Sequence, residues 1–287
     1  MCIDKNTIDK AIAAIEYKAS ILGSENGQYL AISEARMSRK LSRSFKRQME
    51  WLIDKAAELS FFNNKAAVLR IERKTAQDEI NRMLDDMPED EELAGIIANG
   101  GETVYKKGAK TAYTKFSMAD IGISFDLVNP YAIDYLNAKK TLHLSDYRGS
   151  IKRTTKKKIL KILTEAAETG QSYQETGKKI RAQGAEGVFS RYRSELIATN
   201  EIRHAYEEGN HEMLDIYKKE TGTILQKMWL TKQDAQVTEE CAANESVGWI
   251  GWDEHFPSGD DISPRSDHPR CRCSTGYRAV DLQGNPL

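Results

Sequence analysis

No stretch of this 287-residue sequence approaches the ~18 uncharged apolar residues that a membrane-spanning helix needs, so no membrane partner is expected. Proline is scarce, with 6 residues against 19 glycines, and aromatics reach only 8%. That profile excludes collagen, a mucin-like stalk and a wholly disordered chain. Charge of one sign is lacking as well. With 42 basic and 43 acidic residues the net charge is −1, which excludes a global polycation that coats nucleic acid and leaves only local patches. The opening Met1-Cys2-Ile3-Asp4-Lys5 has no apolar core of a secretory signal, so a protein made and used without crossing a membrane is expected. Cysteine is nearly absent from the first four-fifths. Cys2 stands alone, and Cys241, Cys271 and Cys273 cluster late. Clustered cysteines in an intracellular chain point to metal or free thiols before disulfides.

What is present reads as helix. Hydrophobic residues make up 40% and charged residues 30%, which suits long helices with solvated faces in two ordinary domains, or one domain with an appendage. Ile8, Ile12, Ile15, Ala19 and Leu22 recur at helical spacing after Thr7 and before Gly23. A second run, Leu30, Met37, Leu41, Phe45, Met49, Leu52, Ala56 and Leu59, is the seam of a helix over about 29–60. A third carries Phe62, Ala66, Leu69, Ala76, Ile80 and Met83, and an antiparallel helical hairpin is the simplest packing. Asn99-Gly100-Gly101 reads as a chain break. Ile121, Ile123, Phe125 and Leu127 alternate with small or polar residues as a strand would, and Asn129-Pro130 reads as the N-cap and first residue of a helix.

Between Lys139 and Lys161 nine Lys or Arg residues face one acid, Asp146. Arg153, Lys157 and Lys161 share a helical face, with Lys152, Lys156 and Lys158 close by. Such a helix neutralises phosphates or docks on an acidic partner protein, although no aromatics are interleaved to stack bases. Ser172 and Glu175 are spaced as a capping box, and Gly184 and Gly187 are expected to break the short helix that follows. A long helix is expected over about 189–220, with a stripe of small residues through Ala198, Ile202, Ala205, Gly209, Met213 and Ile216. Its other stripe, Glu201, His204, Glu208, His211 and Asp215, contains the Glu-x-x-His spacing of di-iron bundles. No second Glu-x-x-His exists, and ordinary polar pairing along a helix explains the stripe without a cofactor. A metal-dependent hydrolase using Glu201, His204 and Glu208 stays as an alternative.

From Thr223 the texture changes, with a strand-like run over Ile224–Leu230. Cys241, His268, Cys271 and Cys273 then make a Cys3His set, sufficient for tetrahedral structural zinc, with Asp234 as a substitute ligand. Reduced thiols and a disulfide from Cys241 to the tail are the other readings. Four filled ligands leave no open position for catalysis, and nothing marks an oxyanion hole. The fold class expected is mainly α: an elongated helical N-terminal part with a small α+β, Cys/His-containing C-terminal unit. The divisions expected are a long-helix region over 1–120, a helical part with the basic helix over 121–222, and the small unit over 223–287.

The second half resembles the phage head morphogenesis family, the MuF-type minor head proteins. The residues carrying the likeness are Asn129-Pro130, Gly170-Gln171-Ser172-Tyr173, the helix Arg193-Ser194-Glu195-Leu196-Ile197-Ala198-Thr199-Asn200-Glu201, Trp229 with Asp234 and Cys241, and the closing His268-Pro269-Arg270-Cys271-Arg272-Cys273. It covers roughly residues 125–280. The family often has a second cysteine three residues after the first, where this chain has Asn244, and a Thr where it has Asn200. Members can carry a toxin or enzyme domain after the Cys-rich motif; only 14 residues follow Cys273, so none is expected. The resemblance implies a non-enzymatic minor virion protein, held inside the procapsid beside the portal and acting in head assembly, DNA packaging or ejection. The portal protein is the partner implied, with major capsid or scaffolding protein and packaged DNA as further ones. The location implied is the capsid interior near the portal vertex, after assembly in the host cytoplasm. A DNA-binding module using the basic helix is the first alternative.

Overall fold

In the computed structural model, described residues are 25–63, 73–86, 90–142, 148–169, 171–264 and 271–287. The helix expected over residues 7–22, the middle of the Phe62–Met83 run, and His268 lie outside them. The chain is mainly α-helical with a small antiparallel sheet near its C-terminal end. Helices α1 (Glu25–Ala56), α2 (Ser60–Asn63), α3 (Arg73–Asp85), α4 (Asp90–Lys115), α5 (Val128–Leu142), α6 (Arg148–Thr169), α7 (Tyr173–Glu186) and α8 (Arg191–Thr221) precede strand β1 (Ile224–Leu230). Helix α9 (Glu239–Ser246) and strands β2 (Trp249–Gly251) and β3 (Ser274–Val280) follow.

These elements form two compact units, and the division falls inside α1, α4, α5 and α8. Among the described residues the first unit comprises 25–34, 100–136 and 199–287, and the second 35–99 and 137–198.

In the second unit the apolar seam of α1 buries Met37, Leu41, Phe45, Leu52 and Ala56, as its spacing requires. Ser44 Oγ donates to Glu92 Oε2 at 3.1 Å, and Arg47 pairs with the same carboxylate, which ties α1 to α4. Helix α3 packs along α6, where Thr164 Oγ1 donates to Gln77 Oε1 at 3.3 Å, and α6 packs on α7. The N-terminus of α7 carries the expected capping box: Ser172 accepts from the Glu175 N–H, and Glu175 accepts from the Ser172 N–H at 2.9 Å. Gly187 ends α7, but Gly184 stays inside it beside the Met49 sulfur.

Three local expectations are corrected. Asn99-Gly100-Gly101 is no break, because α4 runs through it. Leu93, Ile97, Val104, Tyr105 and Ala109 are buried on either side, and that burial outweighs the roughly 1 kcal/mol that each interior glycine costs a helix. Residues 121–127 form no strand. Two short 3-10 turns, Met118–Ile121 and Phe125–Leu127, are separated by Gly122 at φ 80°, and only Ile123 of the alternating set is buried. Tyr113 Oη donates to the Ile123 carbonyl at 2.9 Å and fixes this corner. Helix α5 begins at Val128, so Asn129 sits within its first turn; its side chain donates to Asp126 at 3.3 Å.

In the first unit the small-residue stripe of α8 meets α4. A Cβ on Gly209 would collide with the Tyr105 carbonyl, and one on Gly108 would collide with the Tyr206 carbonyl. The two backbones touch directly, which only glycine permits. Tyr206 Oη donates to Thr111 Oγ1 at 3.1 Å across the same contact. Strand β1 is the centre of the sheet, order β2-β1-β3, antiparallel on both edges. Helix α8 covers the sheet face that carries Thr275 and Tyr277. Glu207 is buried there, accepts from the Thr275 N–H, and is pushed by burial up to about 8. His211 lies against Trp252 at 4.3 Å, and burial pushes it down to about 4.

Gly209→Ala and Gly108→Ala are each expected to cost about 1–3 kcal/mol in urea denaturation. Gly95→Ala, with nothing within 4 Å of an added Cβ, is expected to stabilise by about 0.5–1 kcal/mol. Equal effects at the three positions would show that the α4–α8 contact is not tight. A pH dependence follows from α8. The folded state of Glu207 keeps its proton up to about 8 against 4.5 when unfolded, so its contribution falls as pH rises through that interval. His211 acts oppositely between about 4 and its ordinary 6.5, and the two offset one another there. Between pH 6.5 and 8 Glu207 is left unopposed by His211, and stability should fall by about 2 kcal/mol. Glu207→Gln should flatten that limb of the pH–stability curve.

Candidate metal centre

Three of the four expected cysteine–histidine ligands converge. Cys241 lies in the first turn of α9, where Thr238 caps the helix and accepts from the Cys241 N–H at 3.3 Å. Cys271 and Cys273 lie just before β3, which pairs with β1 from Ser274 to Val280. The sheet register and the cap of α9 thus bring residues thirty apart in sequence together. The sulfurs of Cys241 and Cys271 are 3.9 Å apart, and all three thiols lie within 4.8 Å of one another. Four tetrahedral thiolates at 2.3 Å from zinc would stand about 3.8 Å apart, so the three sulfurs fit such an ion with small adjustment. At 3.9 Å the Cys241 and Cys271 sulfurs are too far apart for an S–S bond, and none of the three cysteines is in a disulfide.

The surroundings are apolar. Trp229, Phe256 and the three cysteines form one buried cluster, with Val237 and Ile250 against it. The rings of Trp229 and Phe256 meet edge to face at 5.1 Å. The hydrogen bond shared with Cys271, together with burial, pushes the Cys273 thiol far up. Burial pushes Cys241 up as well. The Trp229 indole N–H works the other way on Cys273, although its geometry falls short of a full hydrogen bond. Both shifts favour the protonated thiol at Cys241 and Cys273, so a divalent ion bound there would have to displace those protons.

Asp234 is not among the converging groups. Its carboxylate accepts from both Arg272 terminal nitrogens, at 2.6 and 2.7 Å, and so anchors the Cys271–Cys273 segment from outside. Asn244, three residues after Cys241, is buried. Its side chain donates to Ser258 Oγ at 2.8 Å and accepts from the Ser258 N–H at 3.0 Å, which fixes the turn behind Phe256. Sequence reasoning missed both roles. The i, i+3 spacing from Cys241 was the available signal for Asn244.

The polar stripe of α8 does not assemble a second centre among the described residues. His204 Nδ1 faces Glu208 Oε1 at 3.4 Å, while Asp215 accepts from Trp252 Nε1 at 3.1 Å and pairs with Lys219 at 2.6 Å. The stripe is spent on pairing and on packing against the sheet. The basic residues expected to contact nucleic acid or a partner lie on α6, where Lys157, Lys158 and Lys161 are exposed and Lys152, Arg153 and Lys156 belong to the same helix.

Residues 157–276 match the family model described as Phage Mu protein F like protein. No curated protein and no solved structure matches the chain. The matched stretch runs from the basic part of α6 through α7, α8 and β1 into β3, and it contains Cys241, Cys271 and Cys273. Over residues 157–276 the chain is similar to the Phage Mu protein F like proteins, and this match supports a phage head morphogenesis family.

Proposed function

We propose that this protein is a minor structural component of a tailed-phage head, seated inside the procapsid at the portal, where it acts in head assembly and in DNA packaging or ejection. The family match over residues 157–276 carries the reading. The architecture supports it: the converging polar groups are buried among aromatics or engaged in pairing, an arrangement for contact instead of turnover. The portal protein is the first partner, with major capsid or scaffolding protein beside it. A second reading, DNA contact through α6, is favoured by the exposed Lys157, Lys158 and Lys161.

Within this proposal Cys241, Cys271 and Cys273 hold a structural zinc ion with His268 as fourth ligand. The ion would staple a unit whose own apolar core is small. Co-expression with the portal protein of the same phage should give a complex that co-elutes in size-exclusion chromatography. Repeated elution of the two proteins apart would overturn the portal reading. Elemental analysis of the purified chain should find about one zinc per molecule. Chelation, or Cys271→Ser with Cys273→Ser, should lower Tm by roughly 10 °C. A chain purified with zinc in every buffer that contains none would remove the metal from the proposal.

A further inference from the structure

Helix α1 lies outside the stretch matched by the family model, and its outer face is strongly charged. From Ala35 to Met49 it contains Arg36, Arg39, Lys40, Arg43, Lys46 and Arg47 and no acidic residue. Steps of 3, 1, 3, 3 and 1 put all six on one side of the helix, opposite the buried Met37, Leu41, Phe45 and Gln48. All six are exposed, and all belong to the second unit. At 1.5 Å per residue the row extends roughly 16 Å.

Two of the six are matched. Lys46 Nζ lies 3.8 Å from Glu50 one turn on, and Arg47 pairs with Glu92 of α4. The other four are not. Arg39 Nε donates to the Ala35 carbonyl of its own helix at 3.2 Å, and among the described residues no acid pairs with Arg36, Arg39, Lys40 or Arg43. Glu34, the acid just before them, is engaged by Arg203 at 2.9 Å. Like charges three and four residues apart repel, so this row destabilises the helix by itself, and a ligand of opposite charge reverses that. The chemistry narrows the ligand. Three of the four are Arg, whose planar fork matches phosphate oxygens in pairs. Between Arg36 and Arg47 every large apolar residue is buried. The face therefore offers no apolar anchor for a protein partner and no ring on which an unpaired base would stack. A row of cations along a rod suits a partner whose charges are also in a row. A duplex backbone, with about one charge per 1.7 Å of axis, is such a partner.

We infer that the outer face of α1 binds the phosphate backbone of duplex DNA through Arg36, Arg39, Lys40 and Arg43. The inference rests on the reading that the protein meets DNA, and it adds a surface separate from α6, so the two are tested side by side on the full chain. Anisotropy of a labelled DNA duplex is measured against salt. Arg36→Gln with Lys40→Gln, and separately Arg39→Gln with Arg43→Gln, should each make the slope of log affinity on log salt shallower by about 2. The change should be the same on a duplex of unrelated sequence, because backbone contacts carry no sequence information. Lys46→Gln with Arg47→Gln removes cations that acids already match, and should leave the slope nearly as it was. Circular dichroism and urea denaturation check that each variant keeps its fold. Unchanged slopes in both α1 pairs, with binding lost when Lys157→Gln, Lys158→Gln and Lys161→Gln are combined, would overturn the α1 site and leave α6 as the DNA contact. An unaltered chain that binds no duplex at low salt would overturn both. An equal change in the Lys46 and Arg47 variant would show that overall charge is read and not this face. Loss of co-elution with the portal protein in the α1 pairs, at unchanged DNA slopes, would overturn the DNA site and give the face to a protein partner.

Discussion

The C-terminal architecture depends on β1 being hydrogen-bonded along both edges. A three-stranded sheet is too small to bury its own faces, so everything around β1 exists to cover it. Helix α8 supplies the cover over Thr275 and Tyr277, and the Trp229–Phe256–cysteine cluster fills the end beside α9. Lys227 shows how strict the constraint is. Its side chain is 1% exposed in the middle of β1, and its ammonium reaches Asp261 at 3.3 Å. A buried lysine is tolerated there only because a carboxylate comes to meet it.

Helix α8 serves two masters in the first unit. Its glycine face lies directly on the backbone of α4, and its polar face carries Glu207 and His211 into the sheet as neutral side chains. Residues that look like a ligand series along the sequence are thus divided between surface pairs and buried packing. Periodicity identified the stripe correctly and said nothing of its solvent, and solvent decides whether a carboxylate is a ligand, an ion-pair partner or a protonated core group.

Legibility followed the range of the forces involved. The seam of α1, the capping box of α7, strand β1 and the length of α8 are set by neighbours within a few residues, and all were readable. The convergence of Cys241 with Cys271 and Cys273 was readable from ligand chemistry, although the sheet register that produces it was not. Gly100-Gly101 misled because its local cost is real and is overcome by burial of residues elsewhere on α4. The 121–127 stretch misled because alternation without a partner strand is only composition; Ile121 and Leu127 stay exposed. Asp234 and Asn244 hold other parts of the chain, Arg272 and Ser258, and no pattern in one sequence announces such partners.

The meeting of Cys241 with Cys271 encloses a long excursion of chain whose two ends are fixed independently, one by the cap of α9 and the other by the pairing of β3 with β1. Closure entropy rises only logarithmically with the number of residues enclosed, so lengthening such an excursion costs little once its ends are pinned. Residues inserted or deleted between the two thiols should therefore leave the anchor points and the sulfur geometry unchanged.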